Sequence, residues 1–162
     1  MTRATRHRDG NRRRSGRWGV IVWVVALGGC GDGHLFGPEI SADVEEFVAL
    51  MNDHRASVGC DPLEWNGDVA HVAQAHSEDM VERSFHAHTN PDGLSPFDRM
   101  TEAGISYSRA AENIAWGYGS AEAVLQGWLN SPGHRANIEN CALTEHGVGL
   151  QDWNWTHLFR TP

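Results

Sequence analysis

Residues 111–138 read AENIAWGYGSAEAVLQGWLNSPGHRANI, and the pattern of the chain changes twice within them. Glu112-Asn113-Ile114-Ala115-Trp116 is a short run closed by glycine, which favours a strand. Ser120 then stands where a helix cap belongs, and Val124, Leu125 and Trp128 fall on one face of a helix over residues 120–129. Ser131-Pro132 opens a further helical turn. Toward the C-terminus, residues 146–159 alternate like two strands joined near Asp152-Trp153. Toward the N-terminus the period is helical. Ser95-Pro96 caps a short helix that Gly104 ends, and a helix from about Asp68 puts Val69, Val72, Ala73, His76 and Met80 on one stripe. Ser41 caps another, with Asp43, Glu45 and Glu46 suited to its positive end and Val44, Phe47, Val48 and Met51 on one face, stopping near Gly59. Helices and strands therefore interleave, and the expected class is α+β.

A chain of 162 residues has room for one domain with a real core. Hydrophobic residues at 40% and charged residues at 21% are globular values, which excludes a disordered tail and a polytopic membrane protein. All 13 basic residues are Arg, and seven of them precede residue 18. From residue 30 onward six Arg face twenty carboxylates, a net charge of −14. Such a body repels phosphate backbones, so nucleic acid is not an expected partner.

The basic stretch leads into WGVIVWVVALGG at residues 18–29, an uncharged run of signal-peptide length and too short to span a bilayer. Residues 1–29 therefore read as an export signal. Leu27-Gly28-Gly29-Cys30 resembles a bacterial lipobox, in which Cys30 receives diacylglycerol and anchors the protein to a membrane; the alternative is an ordinary small-residue cleavage site. Residues 30–40 then read as a tether and residues 41–162 as the folded domain. With Cys30 set aside, Cys60 and Cys141 are an even pair in an exported chain, and an oxidising compartment favours a disulfide over two buried thiols.

The common catalytic signatures are absent: there is no H-E-x-x-H, G-x-S-x-G, S-x-x-K or C-x-x-C. Polar groups at element ends remain. Asn52-x-x-Arg55, Ala75-His76-Ser77-x-x-Met80, Phe85-His86-Ala87-His88-Thr89-Asn90-Pro91-Asp92-Gly93, Ala111-Glu112-Asn113-Ile114-Ala115, Trp128-Leu129-Asn130-Ser131-Pro132-Gly133-His134-Arg135 and Gly147-Val148-Gly149 follow one another in this order. Together they resemble the CAP superfamily, the SCP-domain proteins that include cysteine-rich secretory, antigen 5 and pathogenesis-related proteins, and the segment around Ser131 looks like its bacterial branch. The resemblance covers about residues 44–160 and implies a three-layer α-β-α sandwich.

It also implies a cleft in which two His and two Glu gather a divalent cation such as zinc. His88 and Glu112 match the first His and the Glu of the G-E-N stretch, whereas the other two positions carry Ser131 and Asn154. One His and one carboxylate fall short of three protein ligands, and His134 is the candidate third. Equally, His88 and Glu112 can hydrogen-bond each other and orient the cleft without metal. Two function classes follow. One is a cell-envelope binding module that holds a lipid, sterol or peptide. The other is a hydrolase using Glu112 as base or ligand, His88 as ligand or acid/base, and Ser131 as nucleophile near His134.

Overall fold

The computed structural model describes residues 40–162, so the expected export signal, Cys30 and nearly all of the tether lie outside the described residues. Helix α1 (Ala42–Ser57) starts on Ser41, whose hydroxyl accepts from Val44 N–H, and it buries Val44, Phe47, Val48 and Met51. It ends two residues before Gly59, which takes the left-handed φ of +86°. Strand β1 (Glu64–Trp65) follows, too short for periodicity to reveal. Helix α2 (Gly67–Glu82) is capped by Asn66 and buries the stripe from Val69 to Met80, His76 included. Helix α3 (Pro96–Glu102) carries a reciprocal capping box between Ser95 and Asp98.

Strand β2 (Arg109–Trp116) begins three residues earlier than the sequence pattern shows. Helices α4 (Ala121–Leu129) and α5 (Pro132–Ile138) come next, so the turn at Ser131-Pro132 extends into a short helix. Strands β3 (Glu145–Gln151) and β4 (Asn154–Thr161) form a hairpin whose two turn residues, Asp152 and Trp153, both have positive φ. That geometry matches the twist of a two-residue hairpin.

The sheet order is β1-β3-β4-β2, antiparallel except for the β1–β3 pair, so β2 is an edge. Helix α2 covers one face. It lies so close that a Cβ at Gly147 would come within 2.1 Å of Ala70 N and one at Gly149 within 2.3 Å of Gln74 N. Ser77 donates to Thr156 across this contact at 2.9 Å. The other face carries α1, α4 and α5, where Phe47 packs against Trp128, Trp155 and His157. The fold is thus a three-layer α-β-α sandwich, as the resemblance implies.

Two devices tie α1 to the segment before β3. Cys60 and Cys141 form a disulfide across 81 residues. The Arg55 guanidinium, 1% exposed, donates to the carbonyls of Asp61, Ile138, Asn140 and Leu143 at 2.6–3.2 Å. Four acceptors around one fork hold both loops in register.

His146 on β3 and His157 on β4 are fully buried, with His146 Nδ1 3.0 Å from His157 Nε2. Trp65 and Phe47 close over their edges.

Candidate functional site

The candidate residues gather at the outer edge of β2, between the 85–95 loop and α5. The loop is built locally: Asn90 Oδ1 accepts from the N–H groups of Asp92 and Leu94, and Gly93 takes a φ of +87°. From below, the buried His76 Nε2 meets Ala87 O at 3.0 Å, while its ring packs against Phe85. Burial and the nearby Arg99 push the His76 imidazole below its usual range, so it stays neutral.

His88 Nδ1 lies 2.8 Å from Glu112 Oε1, and Arg99 Nη2 lies 2.6 Å from Glu112 Oε2. Both carboxylate oxygens are thereby engaged, and the Glu112 side chain is 2% exposed against 50% for His88. Arg99 Nη1 also donates to the carbonyls of His88 and Leu94 at 2.7 and 3.1 Å. Glu112 is therefore a buried strut between β2 and α3 that fixes the loop and its histidine. Because the carboxylate accepts, Nδ1 of His88 carries the proton, and Nε2 is the nitrogen left for a ligand. A concavity of about 470 Å³ adjoins it, walled by Pro96, Phe97, Ala110 and Ala111.

Helix α5 is stapled to the same strand. Asn113 Nδ2 donates to His134 O at 3.1 Å, and Asn137 Nδ2 donates to Asn113 Oδ1 at 2.8 Å. These bonds bring His134 near enough to feel His88. Burial, with His88 as second cause, pushes the His134 imidazole below its usual range. Its ring also packs on Trp128, centroids 6.4 Å apart. Ser131 is the residue before α5 and makes no side-chain cap bond. Asn154 stands apart. It pairs with Trp116, whereas Glu112 pairs with Leu158, four residues further along, which separates the two by about 13 Å at strand rise.

The expected ligand set of His88, Glu112 and His134 does not fit a metal as arranged. The Arg99 guanidinium, 2.6 Å from Glu112 Oε2, already supplies the positive charge that an ion would bring there. Among the described residues no group of three or more His, Cys, Asp or Glu side chains is gathered closely enough to hold an ion.

Sequence reasoning missed Arg99. It lies 13 residues before its carboxylate partner inside a seven-residue helix, and no spacing signals that contact.

Residues 48–153 match the model of the CAP, or cysteine-rich secretory protein, family. The chain is 40% identical over 122 residues to the uncharacterized protein YkwD of Bacillus subtilis, covering 74% of this chain and 48% of that one. It is 37% identical over 115 residues to the uncharacterized membrane protein YlbC of the same organism, covering 71% and 33%. It thus spans half or less of the length of these relatives. Among solved structures, an extracellular SCP-domain protein from Bacillus anthracis matches with a TM-score of 0.71 and 35% identity, covering 73% of this chain and 40% of that chain. An outer surface protein from Borrelia burgdorferi shares the fold at a TM-score of 0.70 and 22% identity, covering 76% and 95%.

Proposed function

This chain belongs to the CAP family, with bacterial relatives, and from that premise we propose that it is an exported binding module of the cell envelope, held at a membrane through Cys30. Its ligand occupies the β2-edge cleft against His88. One observation carries the reading: both oxygens of Glu112 are spent on Arg99 and His88, which makes the carboxylate a support for the imidazole rather than a free base. The names of two relatives, an extracellular protein and a membrane protein, support a place at the envelope.

The ligand chemistry follows from the groups presented. With Nδ1 turned to Glu112, His88 presents Nε2 beside the apolar walls of Pro96 and Phe97. That suits an amphipathic molecule with one hydroxyl or amide N–H and an apolar body, as in a lipid, a sterol or a peptide. The hydrolase reading is weaker. Among the described residues no hydrogen bond joins the Ser131 hydroxyl to His134, and a nucleophile without its base is inert.

The test is imidazole NMR of the full chain recovered from a bacterial envelope fraction, titrated with envelope lipids and with envelope peptides. The His88 resonance should move saturably with one of them, and His88→Ala should abolish binding. If neither moves it, the cleft reading fails. Intact mass checks the anchor: the mature chain should begin at Cys30 and carry a diacylglyceryl group.

A further inference from the structure

A second hollow lies at the opposite end of β2 from Glu112. Its volume is about 390 Å³, within the roughly 300–1,000 Å³ of small-ligand pockets. Met80, Phe85, His86, Trp116, Asp152 and Asn154 line it. None of the roles given above uses Trp116, which is 69% exposed.

Two independent features mark this place. Of the five large apolar side chains most exposed among the described residues, three belong to this end: Trp116, Tyr118 and Trp153. Single exposed apolar residues are ordinary, but a cluster of aromatics is not. The described non-glycine residues with positive φ are Ser84, Asp152 and Trp153, and the first two line this hollow while the third adjoins it. Each has a local cause: Ser84 follows the C-cap of α2, where Ser84 and Phe85 N–H close the helix end on Val81 O and Met80 O, and Asp152-Trp153 is the β3–β4 turn, so two fixed turns meet at the rim. The frame is rigid. Gly117 N–H donates to Trp153 O, Trp155 Nε1 donates to Tyr118 O, and Tyr118 packs where Gly127 has no side chain. The backbone that carries the exposed indole is therefore held in place.

The lining chooses among ligands. An accessible indole beside a phenyl ring and a thioether offers a flat apolar face. Asn154 spends Nδ2 on Asp152 O, which leaves its Oδ1 as an acceptor next to the Asp152 carboxylate. Burial and the adjoining His88 push His86 below the usual imidazole range, so it contributes as a neutral group. The ligand then needs an apolar ring face and several O–H or N–H donors. No Arg lines the hollow, and Arg83, over the Phe85 ring, is tied to Asp79 and Asp92. With a net charge of −14 from residue 30 onward, an anionic polymer is disfavoured. One exposed carboxylate is a poor trap for a cation. A pyranose fits each requirement, and an acetamido group adds an N–H for Asn154 and a methyl for the Met80 and Phe85 wall.

We propose that this hollow is a saccharide subsite for an uncharged N-acetylhexosamine glycan, with Trp116 as the stacking platform. The proposal rests on the envelope-facing reading only for the source of the glycan, since its lining shares no residue with the His88 hollow. The experiment is a titration of the full chain with chitotetraose, followed by tryptophan fluorescence and calorimetry, beside cellotetraose and an arginine-containing tetrapeptide. Chitotetraose should bind saturably and more tightly than cellotetraose. Trp116→Ala should weaken it at least about tenfold, as loss of a stacking contact requires, with an unchanged melting temperature. His88→Ala should leave it intact, so failure of the cleft reading and failure of this one are told apart. Absence of saturable chitotetraose binding, equal binding by Trp116→Ala, or preference for the peptide would each overturn the proposal.

Discussion

Two pairs of side chains, similar in distance, do opposite work in this protein. His146 and His157 meet at 3.0 Å in a sealed layer between α1 and the sheet. His88 and Glu112 meet at 2.8 Å at the strand edge, where the imidazole is half exposed and Arg99 neutralises the carboxylate. In the sealed pair one ring donates its single N–H to the other and the second proton that would charge either ring is excluded, so His146 is pushed down to about 3 by burial, with Arg55 as second cause. His157 is pushed well below its usual range by burial, then by His146 and Arg55. In the open pair the partner charge does the organising, and the outer nitrogen stays reachable. Burial depth, rather than residue type, separates a histidine that holds the fold from one that can meet a ligand.

The largest effect that tests this contrast is acid destabilisation. Both sealed histidines are neutral in the folded state well below pH 6.5, whereas the unfolded chain protonates them near ~6.5. Their contribution is present above that value and is lost as pH falls. Between pH 6.5 and 4.5 His146 alone should remove about 2 kcal/mol, and His157 acts in the same direction. Urea unfolding at stepped pH measures the loss, and His146→Phe with His157→Leu should flatten the slope. A slope unchanged by that double replacement would assign acid lability to other groups.

Glu112→Gln comes next. It removes the charge that faces Arg99, and a charge-assisted bond of this kind contributes roughly 1.5–3 kcal/mol. Thermal melting should show that loss, and Arg99→Met should cost less on that background than in the wild type, what remains being its bonds to the His88 and Leu94 carbonyls.

Trp153→Gly should go the other way, gaining about 1 kcal/mol, because glycine takes φ +59° without the strain that tryptophan bears. Calorimetric melting checks the sign. The smallest change belongs to His88→Ala, whose half-exposed ring should alter stability by no more than about 0.5 kcal/mol. A large destabilisation would mean that the open pair is structural after all.

Much of the fold was legible because apolar period and caps agree. Ser41, Ser95 and Ser120 each cap the helix expected of them, and Val44, Phe47, Val48 and Met51 all face inward. The glycines of Gly147-Val148-Gly149 read only as part of a strand, since period says nothing about a helix approaching within van der Waals contact. Strand β1 is two residues long and has no period at all. At the site, His88 and Glu112 make the direct hydrogen bond that stood as the alternative to a shared cation, but Arg99 was invisible because an ion pair across a loop leaves no mark in local spacing. The sealed histidines were missed for a related reason. Register sets Val148 opposite His157 and His146 opposite Phe159, a pairing that exists only once the hairpin closes.

The Cys60–Cys141 bond also determines how the domain carries mechanical load. Tension applied between the N-terminal end of α1 and the last two strands passes through the disulfide, directly from the end of that helix to the approach to β3. Residues 61–140 form a covalent bypass that is not stretched, and both His88 and Trp116 lie within it. Pulling on the N-terminal end of α1 would thus leave the β2 edge slack, whereas reduction of the bond would insert 80 residues of the chain, with both hollows, into the line of force.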